Sequence, residues 1–297
     1  MKHSPASHTM SGALLALGAT IIWSGNFIVA RGLNQIVEPA TLSLLRWGVA
    51  FLGLLPLASR AAWRERAAIG RCLPTMVPMA ILGVTTFNTL LYTAAKTSTA
   101  LNLSLIATST PIFIMLLARV FLGEALGPRK LLGLCLALAG VLLLITDGDL
   151  SRLTRLDFAI GDLWMTLAAM LFAAYSILIR RCATCLSQSV FLLVLFGVGI
   201  VFLLPWAGWE ISRNGFPTVT PEVMGAILYI GLGASLAAYA MWNKAVTIIG
   251  PSVAGLIYYS LPLFSGGVAY LFLGEPMSWL HAASAAGILG GIIVATR

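Results

Sequence analysis

Asn88 and Tyr92 lie four residues apart, and 151 residues later Tyr239 and Asn243 repeat the spacing with the two residue types exchanged. On a helix, positions i and i+4 share one face, so each pair offers an amide and a phenol side by side. Such groups bind and orient a polar solute through hydrogen bonds; they supply no nucleophile and no acid–base couple. Trp23, Tyr175, Trp242, Tyr258 and Tyr259 add aromatic surface, Asn26 and Asn102 add further amides, and Arg46 adds a single cation. All of them sit inside long apolar runs, where a polar side chain needs a partner in protein or in cavity water.

Those runs define the elements that must position the set. Only 9% of the 297 residues are charged and 59% are hydrophobic, whereas a soluble chain carries about 25% charged residues. The chain therefore reads as an all-α integral membrane protein, its runs close to the roughly 20 residues a helix needs to cross a bilayer. Breakers divide it into ten spans: Gly12–Ala30, Pro39–Ala58, Pro74–Ala95, Ala100–Leu122, Pro128–Thr146, Phe158–Ile179, Gln188–Trp209, Pro221–Asn243, Gly250–Leu273 and Met277–Thr296. The first is too long for a signal-peptide core and has no small-x-small cleavage site after it, so it is expected to remain as a span. Trp164, Trp206, Trp209 and Trp279 fall near span ends, as an interfacial belt requires.

Charge sets the orientation. Lys2, Arg60, Arg64, Arg66, Arg71, Arg119, Arg129, Lys130, Arg180, Arg181, Lys244 and Arg297 fall on one side, against Arg31, Lys96, Arg152, Arg155 and Arg213 on the other. The richer side is cytoplasmic, which places both termini there. Residues 1–150 and 151–297 then hold five spans each. An odd number forces the second half to enter the membrane from the opposite face, which is an inverted-topology repeat. On this topology Asn88 and Tyr92 lie toward the outside and Tyr239 and Asn243 toward the cytoplasm, as two gates flanking a midplane site.

The register between halves comes from a second duplication. Pro111 to Glu124 and Pro262 to Glu275 share Pro-x-Phe followed by Ala-x-x-Phe-Leu-Gly-Glu. Glu124 and Glu275 follow a glycine at a span end and precede the next helix, where the dipole and free amides favour a carboxylate. A structural role is expected of them. Pro111 and Pro262 free the carbonyls of Ala107 and Tyr258 and kink their helices, making them candidate hinges. Arg46, two turns into its span with no basic counterpart in the other half, can snorkel outward or bond helix carbonyls, the reading its depth favours; alternatively it attracts a substrate carboxylate. Asn102-Leu103-Ser104 matches a glycosylation sequon but lies within a span. Gly287 and Gly291 form a small-xxx-small pair suited to packing within the bundle.

The early segment Ala19-Thr20-Ile21-Ile22-Trp23-Ser24-Gly25-Asn26-Phe27, Arg46 in the second span and the two Pro…Leu-Gly-Glu units together resemble the drug/metabolite transporter superfamily, in its ten-span form with two EamA-like domains. The likeness covers nearly the whole chain. It implies an exporter of the bacterial inner membrane that alternates access to a central cavity between two five-helix halves. Within that superfamily the chain looks most like the exporters of aromatic amino acids.

The residues exclude other classes. Every carboxylate falls in a loop or at a helix end, so a proton-exchanging cation pump loses its intramembrane acid. Nucleotide-sugar transport needs several deep cations around its phosphates, and Arg46 stands alone. A membrane enzyme needs clustered His, Asp or Glu, yet the histidines are His3, His8 and His281. An ion channel needs rings of charge or carbonyls at a symmetric pore. Cys72, Cys135, Cys182 and Cys185 show neither disulfide density nor a paired metal motif. The expected protein uses no cofactor and no metal, binds no nucleic acid, and moves amino acids across the lipid bilayer as a monomer.

Overall fold

The computed structural model describes residues 5–33, 36–98, 100–146, 148–155, 159–182, 186–265, 267 and 279–296. Lys2, Asp147, Asp157, Cys185, Glu275 and Arg297 lie outside the described residues, as does the second Phe-Leu-Gly-Glu unit.

Among the described residues all regular structure is helical. The α-helices are α1 (Pro5–Leu33), α2 (Pro39–Arg64), α3 (Arg66–Ala80), α4 (Phe87–Ala94), α5 (Ala100–Ala107), α6 (Thr110–Leu122), α7 (Pro128–Thr146), α8 (Ile160–Cys182), α9 (Gln188–Asn214), α10 (Pro221–Leu228), α11 (Ala238–Tyr258) and α12 (Trp279–Thr296). Eight helical stretches among these residues are long and apolar enough to cross a membrane. Large apolar side chains such as Leu57 and Val120 point outward, where lipid rather than water makes their exposure favourable.

One predicted boundary holds and one changes. The eighth predicted span continues as helix past Asn243, and the helical geometry breaks at Gly250, where the ninth predicted span begins. The only departure inside α11 is Gly250 itself, at φ 81 and ψ 159. Glycine reaches that conformation without steric penalty, and Pro251 restarts the helix after it. The fourth predicted span divides instead into α5 and α6. Pro111 has no amide to give Ala107, and the turn just before it is held by Ser109 Oγ donating to the Ile106 carbonyl at 2.6 Å. Pro262 behaves alike: Ser260 Oγ donates to Ile257 at 2.7 Å. Proline thus interrupts each helix outright where a kink was expected.

Both α3–α4 and α10–α11 are joined by π-helix, over Ile81–Thr86 and Tyr229–Ala237. The wide turns align at the repeat offset: the Phe87 amide bonds Leu82 and the Ala238 amide bonds Gly233, each five residues back. A π turn inserts one residue into the ladder and is common at functional sites.

Three helix pairs dominate the packing: α7 with α12, α1 with α11, and α2 with α9. Gly133 and Gly140 on α7 face Gly291 and Gly287 on α12, with Gly287 3.2 Å from the Cα of Gly140 measured from an ideal Cβ position. The small-xxx-small pair is therefore used inside the bundle, as expected. Gly123 ends α6 in the left-handed region, φ 68, and the Glu124 amide closes back on Ala118 at 3.2 Å, a glycine-ended helix stop. The Glu124 carboxylate lies 3.7 Å from Lys130 in the first turn of α7, in keeping with a scaffold role.

Helices α2 and α9 cap one another. Glu210, near the end of α9, accepts from the Ala40 amide at 3.1 Å, the Thr41 amide at 2.8 Å and Thr41 Oγ1 at 3.0 Å. Glu65, just after α2, accepts from the Ser187 amide that opens α9, at 3.0 Å. Glu210 is buried and Glu65 is not. Glu210→Ala orphans two helix amides and is expected to destabilise the fold by about 2 kcal/mol, read as a lower melting temperature in detergent; Glu65→Ala should cost clearly less.

Candidate functional site

Most of the sequence-predicted side chains converge beside the two π segments. Asn88 Nδ2 donates to Tyr239 Oη at 3.3 Å, so two positions related by the 151-residue offset touch directly. Tyr239 Oη in turn donates to the Gly83 carbonyl at 2.7 Å. Trp23 Nε1 donates to the Ala234 carbonyl at 2.9 Å. Gly83 and Ala234 also stand 151 residues apart, each inside a π segment. A π turn leaves a carbonyl outside the regular ladder, and each such oxygen takes a side chain from the other half of the chain.

The outer pairs each stay within one half, with the residue types exchanged between them. Tyr92 Oη donates to Asn26 Oδ1 at 3.4 Å, and Tyr175 Oη donates to Asn243 Oδ1 at 2.9 Å. Asn26 and Tyr175 are 149 residues apart, as are Trp23 and Phe172. The expected separation into two gates becomes one continuous polar seam in this conformation, because Asn88 and Tyr239 bridge the pairs.

Arg46 is where the structure departs most from expectation. It does not snorkel: its side chain is fully buried, and it bonds side chains rather than helix carbonyls. Nε donates to Ser235 Oγ at 2.7 Å; Nη1 donates to Asn88 Oδ1 at 2.8 Å, to Tyr92 Oη at 2.6 Å and, at 3.5 Å, to Asn26 Oδ1. The guanidinium also lies 5.2 Å from the Trp47 ring and 5.8 Å from the Tyr92 ring, within cation–π range. Every one of these partners is neutral. Among the described residues no carboxylate pairs with Arg46. Reaching inward to the seam gives Nε and Nη1 side-chain acceptors.

An aromatic wall stands beside the seam. The Trp23 ring centroid lies 5.6 Å from Phe172, 5.4 Å from Trp242 and 6.0 Å from Tyr258, edge-on or tilted as ring quadrupoles favour. Trp242 Nε1 donates to Ser176 Oγ at 3.3 Å. Between wall and seam is a cavity of about 20 Å³ lined by Trp23, Asn26, Phe87, Asn88, Leu91, Phe172 and Tyr258. It has room for a water or two and no more. An organic solute enters only if the helices part.

Two predicted site residues lie elsewhere. Asn102 donates to Asp162 Oδ2 at 2.9 Å, and the same carboxylate takes the Ala159 amide at 2.8 Å and a bond from Ser98. It belongs to the helix start of α8. Tyr259 packs with Met115, Val141, Leu256 and Ile288 between α6, α7 and α12; the turn before Pro262 rotates it away from Tyr258, which does line the cavity. Sequence reasoning missed Phe172, Phe87, Trp47 and Ser235. Phe172 could have been found by carrying Trp23 forward 149 residues; Ser235 has no such signal, since its equivalent is Val84.

The profile of the EamA-like transporter family matches residues 10–146 and again residues 159–297. The chain belongs to the EamA-like transporter family. This EamA-like chain is 30% identical to an uncharacterized transporter of Archaeoglobus fulgidus, over 94% of its own length and 93% of the relative's. It is 24% identical to the uncharacterized transporter YyaM of Bacillus subtilis, over 95% and 92%. A probable terminal-alkyne amino-acid exporter of Streptantibioticus cattleyicolor is 28% identical over 97% and 95%. A crystal structure at 23% identity shares the fold, with a TM-score of 0.78 and 96% of each chain covered. The EamA-like protein is thus a multi-pass membrane transporter.

Proposed function

We propose that this transporter exports amino acids, aromatic ones included, across the inner membrane of a bacterium by alternating access. Ten spans form two five-helix halves, residues 1–150 and 151–297, inserted in opposite orientations with both termini in the cytoplasm. The excess of Lys and Arg in alternate connections supports that topology, and the offsets of 149 and 151 residues that pair the site side chains support the halves. The observation that carries the substrate is the cavity itself: aromatic rings on one side, Asn26 and Asn88 on the other, and a cation bonded to both amides. An apolar chamber with a few fixed polar groups suits a solute with a large side chain and a polar head.

Other support comes from the name of the Streptantibioticus relative, and within the superfamily the chain is proposed to be most like the aromatic amino-acid exporter YddG. The interruptions before Pro111 and Pro262 sit where α5–α6 and the end of α11 would bend as the halves rock, and the chain is proposed to act as a monomer. The test is counterflow into liposomes holding the purified protein, with each amino acid in turn. Saturable exchange of phenylalanine, tryptophan or tyrosine is expected, and alanine at Asn88, Tyr92, Tyr239 or Asn243 should slow it more than it lowers protein yield. Absence of exchange for all amino acids, from protein shown to be folded, would remove the assignment.

A further inference from the structure

We infer that the seam around Arg46 is a seat for a single carboxylate that makes no demand for an ammonium group, so that the substrate class extends to aromatic monocarboxylates such as 2-oxo acids. This rests on the transporter reading above and narrows the chemistry of its site. Among the described residues Arg46 is the one buried cation in the seam, and its partners Asn26, Asn88, Tyr92 and Ser235 are all neutral. A desolvated charge with only neutral partners is stabilised further by an anion that displaces some of them. Asn26 and Asn88 line the cavity while accepting from Nη1, so these two amides are what stands between the cavity and the guanidinium on that side.

Among side chains of the seam and the residues next to it, the unmet hydrogen bonds are donors: Trp47 Nε1 and Asn243 Nδ2 are buried and have no acceptor among the described residues. The Trp47 ring lies 4.9 Å from Tyr239, and Asn243 holds Tyr175. Donors without acceptors fit an acceptor-only group. An ammonium beside Arg46 would be repelled without an acidic partner to offset the guanidinium, and no Asp or Glu is bonded to any seam residue among those described. Charge points the same way: a monocarboxylate brings the site to neutrality, whereas a zwitterion leaves it with the cation's full charge. Arg46 also has no counterpart in the second half, so it is the residue that gives a nearly symmetric site a head end.

The experiment uses the full-length protein in liposomes and labelled phenylalanine counterflow, with two competitors that keep the ring. Phenylpyruvate retains the carboxylate and lacks the ammonium; phenethylamine is the converse. Phenylpyruvate is expected to compete at least as well as phenylalanine, and phenethylamine at least about a hundredfold less well, since it leaves the built contact unmade. Competition by phenethylamine equal to that by phenylpyruvate overturns the inference while phenylalanine flux leaves the export reading standing. Should phenylalanine not move, labelled phenylpyruvate is run directly: its counterflow keeps the carboxylate seat and removes the amino-acid reading, and no flux of either removes both. Thermal stabilisation of the detergent-purified protein by phenylpyruvate, but not by phenethylamine, gives a readout independent of flux.

Discussion

Arg46→Met is expected to give a protein that melts within about 2 kcal/mol of the wild type and has lost at least about a hundredfold of its transport rate. The two halves of that expectation come from separate balances. Methionine removes a buried cation whose desolvation penalty is several kcal/mol even after relaxation. It also strands Ser235 Oγ and Asn88 Oδ1, each at about 1–3 kcal/mol, so the terms nearly cancel. Tyr92 keeps Asn26 and Asn88 keeps Tyr239, which holds the seam together. Transport has no such offset, because nothing else in the seam carries positive charge. Melting curves in detergent and counterflow rates on the same preparation separate the outcomes. A large fall in melting temperature with transport lost in proportion to folded protein would make Arg46 a structural residue. Arg46→Lys should rescue only part of the rate, since a point charge cannot reach Ser235, Asn88 and Tyr92 from one fork.

The second large effect is steric and is expected at Gly291. A side chain there would meet the backbone amide and Cβ of Ala137, at 2.6 and 3.0 Å from an ideal Cβ, and the carbonyl of Gly133. Backbone cannot yield as a flexible side chain can, so Gly291→Leu forces α12 off α7, and overpacking of this kind costs upward of about 3 kcal/mol. Folded yield should collapse. The neighbouring Gly290 has nothing within 4 Å of its Cβ position, and Gly290→Leu should express and transport as wild type. The pair of variants shares composition and hydropathy and differs only in which side of α12 is filled. Equal behaviour would mean that α7 and α12 do not pack through these glycines.

Much of this architecture was legible because membrane helices announce themselves by length and apolarity, and because duplication supplies an internal alignment. The exchange of Asn and Tyr between residues 88, 92, 239 and 243 was visible as spacing alone, and the structure joins the two pairs through one hydrogen bond. The fate of Arg46 was not legible, since whether a long side chain runs outward or inward depends on Ser235 and Asn88, 189 and 42 residues away. Nor could Tyr259 be told from Tyr258: adjacent aromatics differ only in the turn that precedes Pro262. The reciprocal capping of α2 and α9 escaped because Glu65 and Glu210 carry no local capping pattern; each serves a helix distant in sequence.

The π segments reach further than geometry. Gly83 and Ala234 each offer one oxygen that sits in a π turn of one half and accepts from an aromatic side chain of the other. If either segment tightened into regular α-helix, the ladder and the visiting side chain would compete for that oxygen, and everything downstream would turn by one residue, Asn88 and Tyr92 in one case, Tyr239 and Asn243 in the other. Helix register in each half is then tied to one contact from the opposite half: one residue of slack, held open by a tyrosine in one case and a tryptophan in the other.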